Sequence, residues 1–148
     1  MSEPTSSQPL MIDVRGPRFS AALTFVVLAT AYLTQSAAVL SVQVAVFAVA
    51  AIAGLRWSPY GNVFRFVKRR FDLGPPPETE PEAGPRFSQV MGLIFSGAGL
   101  AAVLAGATAL GWGLVLVVVA LSGLLAATGI CVGCEMYAVG QRLRGGTA

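Results

Sequence analysis

The chain has 148 residues, 55% of them hydrophobic and only 11% charged, with ten Lys and Arg, seven Asp and Glu and no His. About a quarter of a soluble domain's residues are charged, so this composition belongs to an integral membrane protein. Lack of His removes the usual imidazole base and the commonest metal ligand. The few acids stand outside the long apolar runs, which excludes a hydrolase built on paired carboxylates or a Ser-His-Asp set.

Residues 1–14 read as a disordered N-terminal tail. They lack the cationic n-region and small-residue cleavage site of a signal peptide, so the first apolar run is expected to remain as a span. No charged residue lies between Phe19 and Leu55, or between Phe87 and Cys134. Each interval is too long for one crossing helix of about 20 residues and reads as a hairpin of two. The first turns near Thr34-Gln35-Ser36, which leaves helices of about 17 residues. The second turns near Gly106-Ala107-Thr108 or at Gly111-Trp112-Gly113, where Trp112 would sit at the membrane interface. The predicted fold is all-α, with four transmembrane helices in two tandem hairpins. Residues 15–71 form the first hairpin with a basic interfacial helix, 72–85 a Pro/Glu-rich linker, and 86–144 the second hairpin with a C-terminal cysteine segment.

The cations set an orientation. Arg15 and Arg18 precede the first span. Arg56, Arg65, Lys68, Arg69, Arg70 and Arg86 separate the hairpins, and Arg142 and Arg144 follow the last span. With four spans all ten fall on one side, and the positive-inside rule then puts both termini and the central loop in the cytoplasm of a multi-pass plasma-membrane protein. Between the hairpins, Arg56–Phe71 reads as an interfacial helix. Tyr60, Val63, Phe64, Val67 and Phe71 share one face, while Arg65, Lys68 and Arg69 point elsewhere. The linker from Asp72 to Pro85 is expected to be extended and without a core. Cations concentrated at helix ends do not make a nucleic-acid surface.

Gly16-Pro-Arg-Phe-Ser20 recurs as Gly84-Pro-Arg-Phe-Ser88, each copy opening a hairpin. Pro suits the first turn of a helix, and Arg18 and Arg86 are expected to snorkel to the headgroups. The exits correspond more loosely. Laying Gly54 on Gly129 sets Pro59 opposite Cys134, which makes the cysteines an addition to the second half of a duplicated unit. Within the spans, Gly92, Ser96, Gly99 and Val103 form one small-residue row and Ala98, Ala102 and Gly106 another, both suited to close helix approach. Gln43, the one amide well inside a span, is expected to bond helix to helix.

Cys131-Val132-Gly133-Cys134 holds both cysteines, at the end of the last apolar run. Four readings stand: a dithiol cycling with a soluble partner, thiolate ligands for zinc or Cu(I), a palmitoylation site, and small apolar residues at a helix end. The pair follows a helix, so a negative dipole end and Glu135 both oppose thiolate formation. A break at Gly133 would bring the sulfurs together. The cytosol is reducing, and no structural disulfide is expected there.

The Gly-Pro-Arg-Phe start, the four spans and the ending Gly129-Ile-Cys131-Val-Gly133-Cys134-Glu-Met-Tyr137 together resemble a bacterial membrane family common in actinobacteria, domain-of-unknown-function family 4395, from about Ile12 to Tyr137. The resemblance implies an inner-membrane protein and no established activity, cofactor or catalytic residue. Similar domains beside thioredoxin-like or rhodanese-like proteins lend it a link to thiol chemistry. The expected function is that of an accessory membrane protein rather than a stand-alone enzyme. Cys131 and Cys134 are its candidate redox pair, exchanging electrons or sulfur with a thioredoxin-like or rhodanese-like partner, and no cofactor is implied. The rivals are a scaffold subunit of a homo- or hetero-oligomeric membrane complex, a soft-metal site on the two cysteines, and a small transporter half-unit. The last is opposed by the absence of any ionisable residue within the spans.

Overall fold

A computed structural model of the chain describes residues 11–75 and 78–145. Its elements are β1 (Met11–Asp13), α1 (Arg15–Thr34), α2 (Ala37–Ala53), α3 (Pro59–Arg70), β2 (Thr79–Pro81), α4 (Ala83–Leu104), α5 (Thr108–Thr128) and α6 (Val132–Gly145), with a short 3-10 turn at Leu55–Trp57. The architecture is all-α apart from one two-stranded ribbon. Helices α1, α4 and α5 are long and apolar enough to cross a membrane, and α2 is a shorter apolar helix. Large side chains such as Val26, Leu33, Ile94, Leu104 and Leu110 are exposed on them, as expected where lipid is the solvent. These helices mark a membrane protein.

The α1–α2 turn falls at Gln35, in the left-handed conformation, and Ser36, whose hydroxyl accepts the Val39 N–H and caps α2. Of the two sites foreseen for the second turn, the chain uses the earlier: α4 ends at Leu104 and α5 starts at Thr108. Trp112 therefore lies one turn inside α5, buried edge-on to Tyr32 with ring centroids 6.1 Å apart.

Packing is crosswise. Helix α4 lies closely on α5, whereas α1 packs chiefly on α5 and α2 chiefly on α4. Core side chains Leu28, Leu40, Phe47, Trp112, Val115 and Val118 come from both halves. At the α4–α5 crossing the backbones nearly touch. A Cβ on Gly99 would lie 2.8 Å from the Gly111 carbonyl oxygen, and one on Gly111 would lie 2.6 Å from that of Gly99. Only the Gly92-Ser96-Gly99 row is buried in this way; Ala98 and Gly106 of the second row face outward.

Arg18 and Arg86 each reach a helix end in the other half. Arg18 donates to the Ala126 and Ala127 carbonyls at 2.9 and 3.1 Å, and Arg86 to those of Ala51 and Ile52, both at 3.1 Å. Each guanidinium thus satisfies the orphan carbonyls at the end of a helix from the other half, where the dipole is negative. Gln43, fully buried, donates to Thr24 on α1 at 3.5 Å and accepts from the Tyr60 hydroxyl on α3, tying three helices together.

Two stretches expected to lack structure pair with each other. Met11–Asp13, within the N-terminal tail, runs antiparallel to Thr79–Pro81 of the linker, Ile12 opposite Glu80. At the linker's end the Glu82 carboxylate accepts the Leu55 N–H at 2.9 Å, after the break in α2. On α3, Phe64 is buried but Val63 is exposed, as is Phe71 just past its end. Lys68, foreseen on the outer face, turns inward to Asp13 at 3.1 Å. The cause is charge: Asp13 also holds Arg15 at 2.9 Å, and two cations offset the cost of its burial.

Burial works against the charge on Asp13, but hydrogen bonds from the Arg15 side chain and amide and from Lys68 outweigh it and hold the carboxyl at about 2. The unfolded value is about 3.9, so the stabilisation is complete above that value and vanishes as the pH falls through about 2. Hydrogen exchange at Ile12–Val14, taken relative to each amide's intrinsic rate at the same pH, should accelerate on acidification over that window. In Asp13→Asn it should be fast already at neutral pH, with no acid transition of its own.

Candidate functional site

The cysteines lie where α5 gives way to α6. Gly129 ends α5 in the left-handed conformation favoured by Gly, its N–H bonded to the Leu125 carbonyl at 2.8 Å. The break is therefore at Gly129–Ile130 and not at Gly133, which lies inside α6. Cys131 then stands as the cap of α6. Its sulfur accepts the Cys134 N–H at 3.1 Å, and its carbonyl accepts the Glu135 N–H at 3.0 Å.

This reverses an expectation. The pair belongs to the N-terminus of α6, where the dipole favours negative charge on sulfur, instead of the C-terminus of the preceding helix, where it would oppose it. Glu135 is exposed in the first turn of α6, and Arg142 and Arg144 in its last. Both match the polarity of the helix.

Cys131 and Cys134 are joined by a disulfide, with Cα atoms 5.2 Å apart. Both residues are half-buried. They sit on the start of α4, within the second copy of the repeated pentapeptide. The Ser88 hydroxyl lies 3.2 Å from the Cys131 sulfur and 3.8 Å from that of Cys134. A Cβ on Gly84 would lie 3.5 Å from the Cys134 sulfur, and Gly133 packs so tightly on Ser88 that a Cβ there would come within 3.1 Å of the Ser88 Cα. The Phe87 and Tyr137 rings meet at a tilt, centroids 5.7 Å apart. The four residues of the C-terminal motif therefore all meet α4 through Gly84, Phe87 and Ser88. No spacing within the C-terminal segment pointed to Ser88; the repeated Gly-x-x-x-Ser spacing on α4 was the available signal.

The first half shares the helix cap and the aromatic contact, without sulfur. Ser58 caps α3, its hydroxyl accepting the Gly61 N–H at 3.4 Å, and the Phe19 and Phe64 rings meet at a tilt, centroids 5.6 Å apart. By cap position, Ser58 corresponds to Cys131 and Gly61 to Cys134. Pro59 is not the counterpart of Cys134, because the extra turn at Leu55–Trp57 lengthens the first exit.

A cavity of about 220 Å³ adjoins the disulfide, with Cys131 at its wall beside Ser88, Gln89 and Met136. Phe47, Phe95, Val118 and Leu125 supply much of the rest. Among the described residues no group of three or more His, Cys, Asp or Glu side chains is placed to hold a metal ion.

No curated protein and no solved structure matches the chain. A family model described as Domain of unknown function (DUF4395) matches residues 12–142, a span that takes in every contact of the cysteine site.

Gly133→Ala should force α6 off α4 and raise the alkylation rate of the reduced thiols severalfold. Adding Ser88→Gly should restore part of the wild-type rate, giving a coupling of about 0.5–3 kcal/mol in the double-mutant cycle.

Proposed function

The chain belongs to the DUF4395 family, and we propose that it is an integral membrane accessory protein whose Cys131–Cys134 pair cycles between disulfide and dithiol with a soluble thioredoxin-like or rhodanese-like partner. The observation that carries this reading is the position of the pair, half-buried and bonded at the N-terminus of α6. A partner thiolate attacks the Cys131 sulfur, and Cys134 leaves as thiolate. A second partner thiolate then resolves the mixed disulfide, leaving the pair reduced and the partner oxidised. The Cys134 N–H and the Ser88 hydroxyl, both near the Cys131 sulfur, favour Cys131 as the sulfur that carries the mixed bond.

A purely structural disulfide is the weaker alternative. Chain entropy assigns so small a ring about 2 kcal/mol at most, and the bond ties the first turn of α6 only to itself. It links no two helices.

The same reading takes α2 as a fourth span, since its 17 residues reach the lower limit of about 17 for crossing the hydrocarbon. The cation distribution then favours cytoplasmic termini, with the cysteines at that face of the plasma membrane. Duplication of the hairpin is supported by the reciprocal Arg18 and Arg86 caps. Their acceptors Ala51 and Ala126 each lie three residues before the glycine that ends the helix.

In native membranes, Cys134→Ser should accumulate a mixed disulfide through Cys131 that reductant releases, and Cys131→Ser should not. Failure of a permeant alkylating reagent to label either thiol after reduction, or equal absence of adduct from both variants, would remove the redox reading. A reporter fused to the C-terminus should read cytoplasmic; a signal from the opposite side would overturn the orientation alone.

A further inference from the structure

We propose that the cavity beside the disulfide receives the ring of a lipid-borne quinone, and that this quinone reoxidises the Cys131–Cys134 dithiol. The inference rests on the redox reading above and supplies what that reading lacks, a terminal electron acceptor.

The cavity wall restricts its occupant. No Asp, Glu, Lys or Arg is among its described lining residues, and its polar groups are the neutral side chains of Thr24, Ser88, Gln89 and Ser122. A charged ligand would lose its hydration without gaining a counter-charge, so the occupant is neutral and mainly apolar. An apolar cavity of about 150 Å³ accommodates benzene; at about 220 Å³ this one suits a single substituted ring. Leu121 and Met136 line it while remaining 40% and 53% exposed, so a long apolar tail can leave past them toward lipid.

The chemistry at the wall selects among neutral rings. Cys131 borders the cavity, and the Ser88 hydroxyl, 3.2 Å from its sulfur, can donate to a ring carbonyl there. Closing the disulfide breaks two S–H bonds, forms one S–S bond, and releases two electrons and two protons. A quinone takes up that number of each, its two carbonyl oxygens becoming hydroxyls. Electrons would thus pass from soluble thiols through the pair to the quinol dissolved in the membrane.

The test uses the full chain in detergent, reduced and freed of reductant, then mixed with short-tailed ubiquinone or menaquinone analogues or, separately, with oxidised glutathione. Disulfide is read by alkylation and quinol by absorbance. The wild type should form one quinol per disulfide at a rate that saturates with quinone. Leu121→Trp and Met136→Trp, which fill the cavity, should lower the quinone rate relative to the glutathione rate by about tenfold, equivalent to about 1.4 kcal/mol of lost binding. Leu110→Ala, at the far end of α5, should leave both rates unchanged. Should one Trp variant fail to fold, the other, together with competition by a redox-inert ring analogue on the wild type, decides the matter. Reoxidation by glutathione but not by quinone, or quinone rates indifferent to cavity filling and competitor, would overturn this inference and leave the redox reading standing. Reoxidation by neither would remove both.

Discussion

Backbone carbonyls at a helix end cannot be left unpaired where water is scarce, and the whole arrangement depends on how two of these ends are satisfied. The ends of α2 and α5 receive guanidinium groups from Arg86 and Arg18, each belonging to a helix of the opposite half. This ties the start of α4 to the end of α2 and the start of α1 to the end of α5. The bundle is consequently interlocked instead of being two separate hairpins. The glycine contact between α4 and α5 then leaves little freedom in where α5 ends.

The cysteine site follows from that geometry. Once α5 ends beside Arg18, Gly129 turns the chain and α6 begins over the first turns of α4. Gly84, Phe87 and Ser88 form the floor on which the pair rests. In the first half α3 meets α1 through Phe19 and Phe64, with Ser58 as its cap. A hydroxyl at that position does only the work of capping. A sulfur there accepts the same kind of backbone N–H and, in the function proposed above, adds redox chemistry at the positive end of a helix. The difference between the halves is chemical more than architectural.

Much of the fold was legible in the residues. Two long uncharged intervals announced the apolar helices, Gln35-Ser36 the first turn, and the repeated pentapeptide the matching starts of α1 and α4. What escaped depended on partners distant in sequence. Trp112 could not be assigned to the core before the turn was known to fall at 105–107. Lys68 appears solvent-directed until Asp13 is brought beside it, and Met11–Asp13 has no reason to be a strand without Thr79–Pro81. The polarity at the cysteines was misread for a local reason. Cys is not among the usual N-cap residues, so Cys131 passed for the tail of an apolar helix, although Gly129 already signalled that helix's end. The family match adds no activity.

The central claim is that the Cys131–Cys134 bond is exchangeable, and its reduction potential tests this most directly. The full chain in lipid nanodiscs would be equilibrated across a graded series of thiol–disulfide buffers, quenched by alkylation and weighed by mass spectrometry. A working pair titrates as a single two-electron couple between about −300 and −120 mV, the range of thiol-exchange proteins. A bond that persists well below about −300 mV behaves as a structural crosslink. That result, or a pair that never forms a bond across the series, would contradict the account.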